Sequence, residues 1–215
     1  TILEGWLHSG DAGYVTDGGQ LVCIDRVKDL MELTSGARFS PMFIENKLKF
    51  CPYVVEACVL GHERGYVTAM ICIDYKHTGK WAEDHRIGYT TYTDLASKGE
   101  VYDLIEKEMV RVNRALPEGA RVNKFLLLYK EFDPDDGELT RTRKLRRRFI
   151  AERYAKEIEA LYTDADEVHV ESEIQYQDGK TATIITDLHI RKMKPLDQYE
   201  LEEERKWWQF WKPVH

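Results

Sequence analysis

Two stretches decide the fold: Val54-Val55-Glu56-Ala57-Cys58-Val59-Leu60 and, past Gly61-His62-Glu63-Arg64-Gly65, Val67-Thr68-Ala69-Met70-Ile71-Cys72-Ile73. Both are short apolar runs, rich in β-branched residues and bounded by turn formers, which predicts a strand pair inside a core. Val122-Asn123-Lys124-Phe125-Leu126-Leu127-Leu128-Tyr129 reads as a third buried strand. Helices flank these runs. Ser40-Pro41 supplies an N-cap and a first-turn proline ahead of Phe43, Ile44 and Leu48. Over 99–116, Val101, Leu104, Ile105, Met109, Val112 and Leu116 share one face, and Pro117 stops the helix. A third helix runs over about 146–161, with Phe149, Ile150, Tyr154, Ile158 and Leu161 at core spacing. Residues 75–98 read as polar loop with one helical turn around Trp81. Asp17-Gly18-Gly19 between two short apolar runs predicts an entering hairpin, and Gln177-Asp178-Gly179-Lys180 a second one over 165–192. The fold class is α+β: a small three-stranded core sheet with packed helices, an entering β-hairpin and an appended C-terminal β-hairpin.

The chain has 215 residues, with 31 basic against 38 acidic side chains and a formal net charge of −7. That length can bury a real core, and 43% hydrophobic residues exclude disorder. No stretch approaches the roughly 18 apolar residues of a membrane span. The acidic balance argues against a chain-wide nucleic-acid surface, and no nucleic-acid partner is expected. Cys23, Cys51, Cys58 and Cys72 have neither the density of a disulfide scaffold nor a C-x-x-C spacing, which predicts reduced thiols in a cytosolic protein. Cys58 and His62 could form half of a metal site, but no second pair follows, so Cys58 reads as a buried strand residue.

Three segments carry chemistry. The first is Gly5-Trp6-Leu7-His8-Ser9-Gly10-Asp11-Ala12-Gly13-Tyr14, whose turn exposes one carboxylate. The second is Asp25-Arg26-Val27-Lys28-Asp29-Leu30, followed by Gly36, Pro41 and Ile44-Glu45. The third is Gly137-Glu138-Leu139-Thr140-Arg141-Thr142-Arg143-Lys144-Leu145-Arg146-Arg147. An arginine can close on the ligand of that carboxylate, and a lysine on a loop beside a helix start can meet a phosphate.

In this order and spacing, the three resemble the adenylate-forming superfamily and, within it, the long-chain fatty acid–coenzyme A ligases. Lys80-Trp81-Ala82-Glu83, Tyr92-Thr93-Asp94-Leu95 and Val112-Asn113-Arg114-Ala115-Leu116-Pro117 also read like the long-chain branch, so the resemblance covers about 1–160. It implies a two-step ligase: a fatty carboxylate attacks the α-phosphate of Mg-ATP, and coenzyme A then displaces AMP. It also implies roles for single residues. Asp11 would accept the ribose hydroxyls, Arg26 would add a ribose or phosphate contact, and Lys144 would be the catalytic lysine. Lys28 would stand at the hinge, and the Gly36 turn would line the coenzyme A channel. Two positions depart from the pattern: Asp25 replaces the usual glycine before the hinge arginine, and Arg143 replaces the one before the catalytic lysine.

The family's phosphate loop, adenine pocket, acyl tunnel and Mg2+ ligand have no counterpart here, and the chain opens at Thr1 without Met. The expectation is therefore a C-terminal portion of a larger enzyme, inactive alone, whose partner is the preceding large adenylation domain. Residues 1–27 would end that domain, 28–162 form the mobile C-terminal domain, 163–194 the appended hairpin and 195–215 an acidic and aromatic tail. Other readings stand beside it. One is a fatty acyl-AMP ligase loading a carrier protein. Another is a non-catalytic module using the tail or the basic run 141–148, which holds six basic residues in eight. With Lys144 catalytic, Lys144→Ala should cut adenylation severely and Arg147→Ala should do little, whereas equal modest effects would favour a diffuse basic patch; Glu45 would be a helix-surface or packing residue. Trp207, Trp208, Phe210 and Trp211 amid Arg205, Lys206 and Lys212 would either pack back on protein or sit peripherally at the inner face of a membrane. The expected location is the cytoplasm.

Overall fold

The computed structural model describes residues 2–3, 6–7, 9–175 and 181–199. In chain order the strands β1 (Ile2–Leu3), β2 (Trp6–Leu7), β3 (Asp11–Val15), β4 (Leu21–Arg26), β5 (Met31–Glu32) and β6 (Arg38–Phe39) lead to helix α1 (Pro41–Lys49). Then follow β7 (Val54–Leu60), β8 (Val67–Ile73), α2 (Tyr75–Asp84), α3 (Tyr92–Ser97), α4 (Gly99–Arg114) and β9 (Val122–Leu127). The chain continues with α5 (Arg147–Arg153), α6 (Ala155–Leu161), β10 (Glu167–Gln175), β11 (Thr181–His189) and β12 (Arg191–Lys192).

The central sheet has the order β12-β9-β8-β7. β7 and β8 pair antiparallel, with Val54 opposite Ile73 and Leu60 opposite Thr68. β8 and β9 pair parallel, which needs a long crossover; α2, α3 and α4 provide it. The three strands legible in the sequence are the body of this sheet. The two-residue β12 adds an edge, Arg191 opposite Phe125, too short for any alternation to reveal.

All seven residues of β8 are buried. Such an uninterrupted apolar run is what a strand covered on both faces requires. Ala69, Ile71 and Ile73 point into one core with Ile44, Leu48, Ile105 and Met109, beneath α1 and α4. Met70 and Cys72 point into the other, with Tyr154, Ile158 and Leu161 of the α5–α6 region. The second hairpin closes that other core through Val168, Val170 and Leu188. It pairs over nine residues per strand, and its expected turn at 177–180 lies outside the described residues, as does the aromatic tail.

Two expectations change. The 75–98 segment is α2 and α3 rather than loop. Asp74 caps α2 by accepting from the His77 N–H at 2.8 Å, and Thr91 caps α3 by accepting from the Asp94 N–H at 3.1 Å. The buried face of α2 consists of Thr78, Gly79 and Ala82, too weakly apolar to register as a stripe. The helix expected over 146–161 is broken at Tyr154 (φ −103°, ψ 27°), although i→i−4 bonds continue on either side of it. Tyr154 is fully buried, and its hydroxyl donates to Glu138 at 2.5 Å, so the break sits where a side chain is pinned from outside the helix.

Candidate functional site

The β3–β4 hairpin carries the first pair. Asp11 and Arg26 lie opposite each other in the ladder, and Arg26 Nη1 stands 3.0 Å from Asp11 Oδ1. The same nitrogen donates to the Ser9 carbonyl at 3.1 Å. Both heads stay accessible to solvent, as an exposed pair does. Gly13 makes the ladder possible, since a Cβ there would stand 2.5 Å from the Val22 carbonyl oxygen.

Asp25, which departs from the family glycine, has structural work. It is buried, accepts from the Arg26 N–H at 2.8 Å and takes the Ser40 hydroxyl at 2.5 Å. Ser40 in turn caps α1, accepting from the Phe43 N–H at 3.0 Å. The strand bearing Arg26 is thus tied to the helix beyond it.

Lys28 sits on a single 3-10 turn, Val27–Asp29. It faces an open cleft of about 640 Å3 whose walls include Asn46, His62, Arg143 and Lys144. Lys144 occupies a tightly held turn. Thr140 N–H donates to the Lys144 carbonyl at 2.8 Å, Arg143 N–H to the Thr140 carbonyl at 2.8 Å, and Lys144 N–H to Thr140 Oγ1 at 3.0 Å. Leu139 and Leu145 bridge just outside it. The loop is moored by Glu138, fully buried, which accepts from Lys130 Nζ at 2.6 Å and from the Asp133 N–H at 2.9 Å. Lys144 itself is exposed, with no ion-pair partner among the described residues.

The basic run is not a uniform solvated face. Arg147 reaches inward, with Nη2 at 2.6 and 2.8 Å from the two Glu45 oxygens and Nη1 at 3.2 Å from the Val59 carbonyl. Glu45 is 3% exposed and also accepts from the Val59 N–H at 2.8 Å. Burial raises the Glu45 pKa, and Arg147 works against that shift. Arg147 is therefore a structural residue joining α1, β7 and the start of α5. The sequence carried a sign of this: Pro41, Ile44, Glu45 and Leu48 share one face, and a carboxylate on an apolar face needs a buried partner.

The expected site residues thus fall into two sets, Asp11 with Arg26 and Lys28 with Lys144. Gly36 joins neither. It takes φ +83° in the β5–β6 turn, donating to the Leu33 carbonyl at 2.9 Å, and does not line the cleft. The Cys58 thiol is fully buried in the second core and pushed up to about 12 by desolvation, while His62 lines the cleft, so the two form no metal pair. Among the described residues no three His, Cys, Asp or Glu side chains group to hold a metal ion.

A profile of the AMP-binding enzyme C-terminal domain matches residues 28–166. The long-chain-fatty-acid–CoA ligase FadD15 of Mycobacterium tuberculosis is 30% identical over 162 residues, covering 75% of this chain and 27% of that protein. The long-chain-fatty-acid–CoA ligase heimdall of Drosophila melanogaster is 29% identical over 197 residues, covering 74% and 29%. The crystal structure of the adenylation domain of a carboxylate reductase from Mycobacterium chelonae superposes with a TM-score of 0.55 at 24% identity, over 76% of this chain and 24% of that one. The last likeness concerns the fold. The chain spans little more than a quarter of the length of the curated relatives it matches.

Proposed function

The chain belongs to the AMP-binding enzyme C-terminal domain family, and from that premise we propose that it serves as the C-terminal portion of an ATP-dependent fatty acid–coenzyme A ligase. The reaction is adenylation of a fatty carboxylate with release of pyrophosphate, then attack of the coenzyme A thiol on the acyl-adenylate with release of AMP. The observation that carries the reading is Lys144: an exposed, unpaired ammonium on a turn fixed by three hydrogen bonds, in a cleft shared with Lys28. The turn fixes where the lysine leaves the backbone, and its unpaired ammonium can meet the negative charge that develops between carboxylate and α-phosphate.

The other residues take supporting parts. Asp11 gives one oxygen to Arg26 and keeps the other for ribose hydroxyls, and Arg26 adds a donor to ribose or phosphate. Lys28, on its short turn between the hairpin and α1, is the point about which the following domain swings between half-reactions. Gly36, in an exposed turn, leaves room for the coenzyme A chain to pass close to backbone. The Mg2+ that accompanies ATP receives no ligand from this chain in the reading. The protein would work in the cytoplasm beside a large adenylation domain, with Trp207, Trp208, Phe210 and Trp211 available for a peripheral membrane contact.

The test is acyl-CoA formation from fatty acid, ATP and coenzyme A. This chain by itself should form none, and the full-length protein carrying it should form it readily. Turnover by the chain alone would overturn the reading.

A further inference from the structure

Arg143 is held in the left-handed region, φ +57°, where a Cβ is unfavourable and glycine is the least costly residue. Its N–H closes the turn onto Thr140 at 2.8 Å, so the conformation is imposed by the loop that presents Lys144. Among the described residues two other non-glycines share that region, Glu63 and Arg86, but one sits in the β7–β8 connection and the other just beyond the end of α2. Neither lines the cleft, whereas Arg143 does, together with Lys144 and Lys28. Its guanidinium is exposed and forms no ion pair among the described residues, although it acts at longer range on Glu131. A bulky, unpaired cation in strained backbone, aimed into a cleft, points to a ligand that repays the strain.

Resting on the functional reading above, we propose that Arg143 is a phosphate-binding residue, whose fork adds bidentate recognition of a substrate phosphate group to the point charge of Lys144. The phosphate belongs either to the ATP chain or to coenzyme A. Both present the same chemistry, and kinetics tell them apart.

The experiment uses Arg143→Gln, which removes charge and keeps the strain, Arg143→Lys, which keeps charge, and Arg143→Gly, which relieves strain. In the full-length protein, Arg143→Gln should raise the KM for ATP or for coenzyme A about five- to twentyfold, with kcat changed less than about threefold. The substrate whose KM moves is the source of the phosphate. Arg143→Lys should recover that KM only in part, because an ammonium restores the charge and not the fork. In the 215-residue chain, Arg143→Gly should raise Tm by about 1–3 °C while producing the same KM increase in the full-length protein. Unchanged KM for both substrates in Arg143→Gln, or a wild-type KM in Arg143→Lys, would overturn the proposal. Lys144→Ala separates the two claims: if it leaves adenylation intact, the functional reading fails, and if it abolishes adenylation while Arg143→Gln is silent, only the role of Arg143 fails.

Discussion

Replacing Arg147 by alanine should unfold this domain far more readily than its place in a basic run suggests. The wild-type guanidinium makes two hydrogen bonds to Glu45, at 2.6 and 2.8 Å, and one to the Val59 carbonyl at 3.2 Å. Removing one partner of a buried pair costs about 3–5 kcal/mol, because the other charge stays behind unpaired. Here the Arg147 side chain is 33% exposed, so water can enter the vacated space and soften the loss. Glu45 also keeps the Val59 N–H at 2.8 Å. A cost of about 2–3 kcal/mol follows. It should depend on pH. Burial holds the Glu45 pKa above its ordinary 4.5, and arginine opposes that shift. A carboxyl with a raised folded-state pKa favours folding when protonated, and that contribution fades as pH rises through the folded value. Without Arg147 the folded value climbs further. The deficit against wild type should therefore be largest near pH 7.5 and shrink toward pH 5. Urea denaturation of both proteins at the two pH values measures this, and adding Glu45→Gln in a double-mutant cycle isolates the pair, with an expected coupling of about 1–2 kcal/mol. A cost below about 0.5 kcal/mol at pH 7.5, or one identical at both pH values, would refute the reasoning.

Other perturbations test other parts. Leu188→Ala should cost about 2–3 kcal/mol in urea melts, because Leu188 fills the second core beside Leu161 and Val170; a change under about 0.5 kcal/mol would mean the appended hairpin does not support the domain. Tyr154→Phe should cost about 1–2 kcal/mol by thermal melting, since buried Glu138 loses the hydroxyl donor at 2.5 Å while keeping Lys130. Gly13→Ala should destabilise the β3–β4 hairpin and speed amide exchange there, because the new methyl group meets the Val22 carbonyl oxygen 2.5 Å away. Liposome co-sedimentation of the full chain against one ending at Leu196 should favour the full chain if the aromatic tail meets a membrane; equal sedimentation removes that contact.

Much of this fold is legible because it is written in continuous apolar runs. β7 and β8 begin and end where the apolar residues do, and the six apolar positions chosen over 99–116 are all buried, five of them in α4 and Leu116 just past its end. α2 is hidden because its inward face uses Thr78, Gly79 and Ala82, and the six-residue α3 because it buries only Leu95 and Ala96, so the caps at Asp74 and Thr91 mark them best. The chemistry-bearing residues are visible as a motif order, and the geometry brings Asp11 to Arg26 and Lys28 to the same cleft as Lys144. Composition cannot divide the basic run. Helical direction sends Arg147 to a buried pair with Glu45 in the wall of the cleft, while the preceding turn leaves Arg143 and Lys144 there without an ion-pair partner. The strain at Arg143 is likewise invisible in sequence, where the missing glycine reads only as a departure from pattern.

The most direct test of the account is fatty-acid-dependent ATP–pyrophosphate exchange by the full-length protein carrying Lys144→Ala. Lys144 is exposed and its side chain holds no described partner, so the folded domain should be untouched and Tm unchanged. The account predicts exchange lowered about 10²- to 10³-fold, the loss expected when one preorganised charge is removed from a transition state. Exchange within about threefold of wild type, in a protein of unchanged stability, would contradict it.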